Sequence, residues 1–216
     1  MTEHNFERMR RAMVASQLRT TGVNDPRVVA AMGAVPRERF VPAERCALAY
    51  ADAPVPLGDG RFLSSPMVLG RMLSEARLRG DERALVIGSA TGYSAAVLAR
   101  LAGSVVAVEE APELAAFARA ALEGSGVELV EAPLTEGHPA RAPYDFIFID
   151  GAVGHVPEAI VGQVADGGEI ALALDDEGVT RLCVGRVVAG SFGATAFSDA
   201  AVAALPGFEK PRGFIF

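Results

Sequence analysis

The sequence predicts an α/β fold: a mostly parallel central sheet covered on both faces, preceded by an N-terminal helical region and finished by antiparallel strands. Three observations predict it. From residue 83 onward, continuous apolar runs of strand length alternate with helical segments, the pattern of parallel strands buried on both sides. The first run breaks into a glycine-bounded turn, "GSATG" from Gly88 to Gly92, where such sheets hand the chain to a helix over a ligand. Near the end, "VTRLCVGRVV", "ATAF" and "GFIF" leave little room for helices, so the sheet closes with antiparallel strands.

Taken in order, Phe6, Met9, Met13 and Val14 keep helical spacing, which predicts a first helix from Phe6 to Leu18. A second follows, with Asp25 as N-cap and Pro26 at its first position. The stretch "VPRERFVP…AYADAPVPLGDGRFLSSP" is rich in Pro and Gly and reads as turns, short helices and an extended crossing segment, anchored by Phe40, Tyr50 and Phe62. Ser65 and Pro66 then open a helix through "MVLGRMLSEARL". Beyond it come the strand "RALVIG", the helix "YSAAVLARLA", the strand "SVVAVE", the helix "PELAAFARAAL", the strands "VELVE" and "YDFIFID", the helix "PEAIVGQVA" and the strand "GEIALAL". The 216 residues suffice for one core and require no second, so 1–216 reads as one domain, a helical region over 1–80 and an α/β core over 81–216.

Composition narrows the function. A formal net charge of −7 argues against nucleic acid as a partner, because such surfaces concentrate Lys and Arg. The two cysteines, Cys46 and Cys183, are too few for a disulfide framework and too far apart for a metal knuckle. The opening residues mix acids and bases, so they read as neither a secretory signal nor an anchor, and no apolar run approaches the roughly 20 residues of a membrane helix. The expectation is a soluble, cytoplasmic protein with no membrane partner. His4, His138 and His155 have no partners spaced for metal or triad chemistry, and His155 alone follows the carboxyl end of a central strand.

The glycine turn lacks the G-x-x-G ending of a dinucleotide fingerprint and the Gly-Lys-Ser/Thr of a P-loop. The next strand ends in Glu109, about 20 residues past the turn, where a carboxylate can accept from both ribose hydroxyls of a nucleoside. Glu109 and Glu110 also precede a helix N-terminus, where acids are favoured for the helix alone.

The segments "VPRERFVP", "AYADAPVPLGDGRFLSSP", "ALVIGSATGYSAAVLA", "VVAVE" and "APYDFIFIDGA" together resemble the protein-L-isoaspartate O-methyltransferase family, from near the N-terminus to Leu174. The resemblance implies a Rossmann-like class I S-adenosyl-L-methionine (SAM) methyltransferase that methylates the free α-carboxyl of isoaspartyl residues in damaged proteins. It makes 1–80 the substrate side and 81–216 the SAM-binding core. Gly88, Ser89, Ala90 and Gly92 match the glycine-rich loop, with Ala90 in place of the central glycine, which fits if Ala90 keeps φ below zero. Glu109, followed by Glu110, matches the ribose-binding acid. Ser64 matches the serine of a Thr-Ile-Ser-x-Pro segment held near the transferring methyl, and Phe62 and Leu63 match the threonine and isoleucine.

The sequence also departs from the family. Val86 stands where an acid is usual, Pro133 and Leu134 replace an Asp-Gly pair at the adenine end, and the closing segment has no clear match. Carboxyl methylation needs no strong base, since a carboxyl with an ordinary pKa of about 4 is already ionised at neutral pH. Ser64 is therefore expected to orient the acceptor, or else to share helix capping with Ser65. Replacing Glu109 by Ala is expected to remove SAM affinity with the fold intact. Two alternatives stay open: a metal-dependent catechol-type O-methyltransferase, in which Asp150 would bind Mg²⁺ although Ala152 replaces the second acid, and a SAM-binding module without transfer activity.

Overall fold

The computed structural model describes residues 3–176 and 178–210. It opens with α1 (Glu3–Met13), which widens into a π-helical turn over Val14–Leu18 and a 3-10 turn over Arg19–Thr21, so the predicted first helix is present but not uniformly α-helical. Helix α2 (Pro26–Ala34) starts as predicted, with the Asp25 carboxylate accepting from the Arg27 amide at 2.8 Å. The Pro- and Gly-rich stretch forms two 3-10 turns, Arg37–Phe40 and Ala43–Leu48. Next comes a hairpin of β1 (Val55–Gly58) and β2 (Arg61–Leu63), not the expected crossing segment. Asp59 and Gly60, at φ 47° and 72°, give it the left-handed turn that suits the twist of two antiparallel strands. Phe40 and Tyr50 are buried anchors, whereas Phe62 is exposed, because alternation along β2 buries Arg61 and Leu63 instead.

Ser65 caps α3 (Pro66–Glu75) through Val68 N–H, and the helix stops three residues before the predicted end as the chain approaches Arg77, at φ 50°. Then follow β3 (Arg83–Ile87), α4 (Tyr93–Leu98), β4 (Ser104–Glu109), α5 (Pro112–Ala121), β5 (Glu128–Glu131) and β6 (Tyr144–Val153). The helix predicted over "PEAIVGQVA" is a single turn, α6 (Glu158–Val161). Gln163 ends it: its carbonyl accepts from Tyr144 N–H and its side chain from His138 N–H, which starts β7 (Val164–Asp176). Strands β8 (Val179–Val188) and β9 (Ser191–Asp199) are antiparallel as expected, while the "GFIF" strand lies outside the described residues.

The seven-stranded sheet runs β5-β4-β3-β6-β7-β8-β9, with the first five strands parallel. The two faces follow from the strand period of two. Ala84, Val86, Phe146 and Phe148 pack toward the N-terminal helices, and Leu85, Ile87, Ile147 and Ile149 pack on the opposite face with Leu134, Ile160, Leu205 and Phe208. Val86, where the sequence lacks an acid, is thus a fully buried core residue. The order reverses between β3 and β6, which places the ligand crevice of an open α/β sheet at their carboxyl ends. No described helix is long and apolar enough to cross a membrane.

Candidate active site

The glycine turn lies at that crevice. Gly88 and Gly92 have φ of 75° and 96°, which only glycine adopts freely, and a methyl group on Gly88 would stand 2.7 Å from Leu205. Ala90 also lies in the left-handed region, at φ 48°, which overturns the expectation of a negative φ. The turn fixes this conformation from both sides. The Gly88 and Ser89 amides donate to the Val108 carbonyl at 3.0 and 3.1 Å, and the Ala90 amide donates to Glu109 at 2.7 Å. Thr91 ties the turn to the N-terminal region by donating its hydroxyl to the Phe40 carbonyl at 2.6 Å.

Glu109 ends β4 beside this turn and is wholly buried. Its carboxylate accepts from the backbone amides of Ala90, Glu110 and Ala111 and from both terminal nitrogens of Arg61, at 2.7 and 3.1 Å. The pair is almost entirely removed from solvent, and Arg61 also donates to the Gly88 carbonyl at 3.0 Å. Sequence reasoning did not single out Arg61. The only local signal was a basic residue at an inward position of a short strand.

Ser64, immediately after β2, donates its hydroxyl to Asp150 at 2.9 Å, joining the hairpin to β6. Burial pushes the Asp150 carboxyl above the usual carboxylate range, against the pull of Ser94, Ser64 and the charges of Arg61 and Arg37. Arg37 is fully buried, donates to the Ala49 carbonyl at 2.6 Å and to the Ser64 carbonyl, and lies 4.7 Å from the centre of the Tyr93 ring. It holds the backbone on which Ser64 sits. Among the described residues, no cluster of three His, Cys, Asp or Glu could hold a metal ion.

Ser64, Phe62, Arg61, Asp150 and Gly151 line one cleft with residues 201–205, which return across the end of β6. The Ala152 amide donates to the Ala203 carbonyl and the Leu205 amide to the Ala152 carbonyl, both at 2.8 Å, so the C-terminal segment is docked by backbone bonds. With Arg61 and Leu205 in place the cleft has about 10 Å³ of room, that of one water. A larger groove of about 310 Å³, lined by Glu82, Asp145 and Arg186, opens at the amino ends of the strands, away from the crevice. Of the other residues assigned from sequence, Leu63 is buried in the core under the hairpin. Leu134 is buried on the opposite face of the sheet, its amide donating to Glu110 at 3.3 Å, and Pro133 precedes it at the head of a 3-10 turn.

The family model described as "Protein-L-isoaspartate(D-aspartate) O-methyltransferase" matches residues 9–187. A protein of Marinobacter nauticus named protein-L-isoaspartate O-methyltransferase 2 is 40% identical over 206 residues, covering 93% of this chain and 94% of its own. A namesake from Anaeromyxobacter is 43% identical over 181 residues, covering 82% and 74%. A solved protein-L-isoaspartate O-methyltransferase superposes with a TM-score of 0.81 at 23% identity, covering 92% of this chain and 66% of that one. A Plasmodium falciparum protein of that description, solved with S-adenosyl-L-homocysteine, gives 0.76 at 17%, covering 90% and 96%. These structures share the α/β architecture, and the sequence match places the chain in a family: it belongs to the protein-L-isoaspartate O-methyltransferases.

Proposed function

We propose that the chain transfers a methyl group from S-adenosyl-L-methionine to the free carboxyl of isoaspartyl residues in proteins. Family membership supports the reaction, and one geometric observation carries it: Arg61, which lines the cleft with Ser64 and Asp150, also bonds to Glu109 and to the Gly88 carbonyl, so that cleft adjoins the glycine turn at the sheet's switch point. The residues fit the cofactor. Glu109 is a rigid acceptor held by three backbone amides, Gly88 permits close backbone approach, and Ser89 carries a buried hydroxyl beside the turn with no partner among the described residues. In this reading Gly88, Ser89, Ala90 and Gly92 contact the cofactor through the backbone, Glu109 takes the ribose, and Glu110, Pro133 and Leu134 border the adenine. Phe62 and Ser64 form the wall toward the acceptor, with Leu63 packed in the core behind them. Residues 1–80 then serve as the acceptor side and 81–216 as the cofactor core of one domain, in the cytoplasm.

The cofactor supplies a methyl on a sulfonium, whose transfer to a carboxylate neutralises both charges. The chain's own task is therefore positioning and exclusion of water. Ser64 orients the acceptor by a hydrogen bond, Arg37 fixes the Ser64 backbone, and the C-terminal segment through Leu205 covers the crevice. Asp150 holds the Ser64 proton between turnovers.

The test is transfer of a radiolabelled methyl from SAM to an isoaspartyl peptide, with the matching aspartyl peptide as control. Base-labile label on the isoaspartyl peptide alone is the expected result. Label on neither peptide, from a protein that binds the cofactor, would exclude this acceptor.

A further inference from the structure

Arg61 stands between two carboxylates. Its guanidinium bridges both oxygens of Glu109, and from the same position it lines the cleft that Ser64, Asp150 and Leu205 share. An ionised carboxylate offers about four lone-pair sites, and Glu109 already accepts five hydrogen bonds. It cannot hold Arg61 and two ribose hydroxyls together. On the other side of the cleft, Ser64 directs its proton to Asp150, so an incoming carboxylate would meet a second carboxylate there and a hydroxyl already engaged. That arrangement repels the acceptor until a cation arrives, and Arg61 is the cation lining the cleft.

We propose that Arg61 is a displaceable latch, which the cofactor's ribose frees from Glu109 and which then turns toward Asp150, where its guanidinium binds the acceptor's carboxylate. The long arginine stem allows this without moving β2, and the planar fork can serve two carboxylates in turn. Once Arg61 faces Asp150, the Ser64 hydroxyl is free to turn to the acceptor. The proposal rests on the cofactor and acceptor given above and adds an order to them: the acceptor site is completed by cofactor binding. By linkage, cofactor and acceptor then bind with positive coupling.

Calorimetry on the full chain and on R61Q and R61K tests it, with S-adenosyl-L-homocysteine and an isoaspartyl peptide as probes. In the wild type, the peptide is expected to bind about tenfold or more tightly when the homocysteine analogue is present, within the usual range of coupling. R61Q should bind the analogue more tightly than the wild type and lose the coupling. R61K, which keeps the charge but cannot bridge both oxygens, should also bind the analogue more tightly and retain part of the coupling, and it carries the test if R61Q does not fold. Analogue affinity unchanged or weaker in the variants overturns the latch, as does a wild-type peptide affinity indifferent to the analogue. If the wild type binds the analogue but never the peptide, the isoaspartyl acceptor fails instead, and the latch is decided by the analogue affinities alone. Absence of analogue binding in all three proteins overturns both.

Discussion

Ser64 gives its hydroxyl proton to Asp150 across 2.9 Å, joining the hairpin to the carboxyl end of β6 through a carboxylate that burial makes harder to ionise. The raised pKa means that the folded chain holds this proton more tightly than the unfolded chain does. The stability it contributes is complete below the ordinary carboxylate pKa of about 4 and is lost as pH rises through the higher folded value. Asp150→Asn is neutral at every pH and can still accept from Ser64. The variant should therefore melt above the wild type at pH 7, with the two converging toward pH 4 in thermal unfolding scans. Equal melting temperatures across the range would mean that Asp150 ionises in the fold without penalty.

Glu109→Gln should lower stability by about 3–5 kcal/mol, because it leaves Arg61 buried opposite a neutral group. The effect is set by burial, not by the ion pair as such. Glu7→Gln, which breaks the exposed Arg11–Glu7 pair, should cost no more than about 0–1 kcal/mol. Urea unfolding of both variants measures the contrast. The expectation that Glu109→Ala leaves the fold intact is revised by the same geometry: affinity and stability should fall together, and calorimetry at a temperature where the variant is still folded separates them.

The parallel core was legible because its strands are continuous apolar runs whose helical partners differ from them in period, as "RALVIG" and "PELAAFARAAL" do. The caps at Asp25 and Ser65 were legible because capping is local chemistry. The β1–β2 hairpin was not, since strands of four and three residues carry too little alternation. In the candidate site, resemblance and spacing singled out Ser64 and Glu109, but not Arg61 and Leu205, which line the cleft beside Ser64. Their roles depend on contacts 48 residues away for Arg61 and on the return of the C-terminal segment over β6, which no local window contains.

Ala90→Gly should be nearly neutral to stabilising. A left-handed backbone costs a non-glycine residue about 1–2 kcal/mol, while glycine gives back about 0.4–1 kcal/mol through the greater freedom of the unfolded chain. The net gain is therefore about 0–1.6 kcal/mol, readable by urea unfolding. Gly88→Ala is the opposite case, since its methyl group would also meet Leu205 at 2.7 Å. That variant should lose both stability and affinity for S-adenosyl-L-homocysteine.

Ser64→Ala separates orientation of the acceptor from helix capping. The Ser65 hydroxyl, not that of Ser64, accepts from the Val68 amide at the start of α3, so removing the Ser64 hydroxyl leaves the cap in place. What is lost is a hydrogen bond to a charged group, worth about 1.5–3 kcal/mol, or roughly a 10- to 100-fold fall in the rate of methyl transfer to an isoaspartyl peptide. Affinity for S-adenosyl-L-homocysteine should stay near that of the wild type, because the glycine turn and Glu109 make no bond to Ser64. Parallel losses in transfer rate and cofactor affinity would instead mean that the Ser64–Asp150 bond serves chiefly to hold the hairpin against β6.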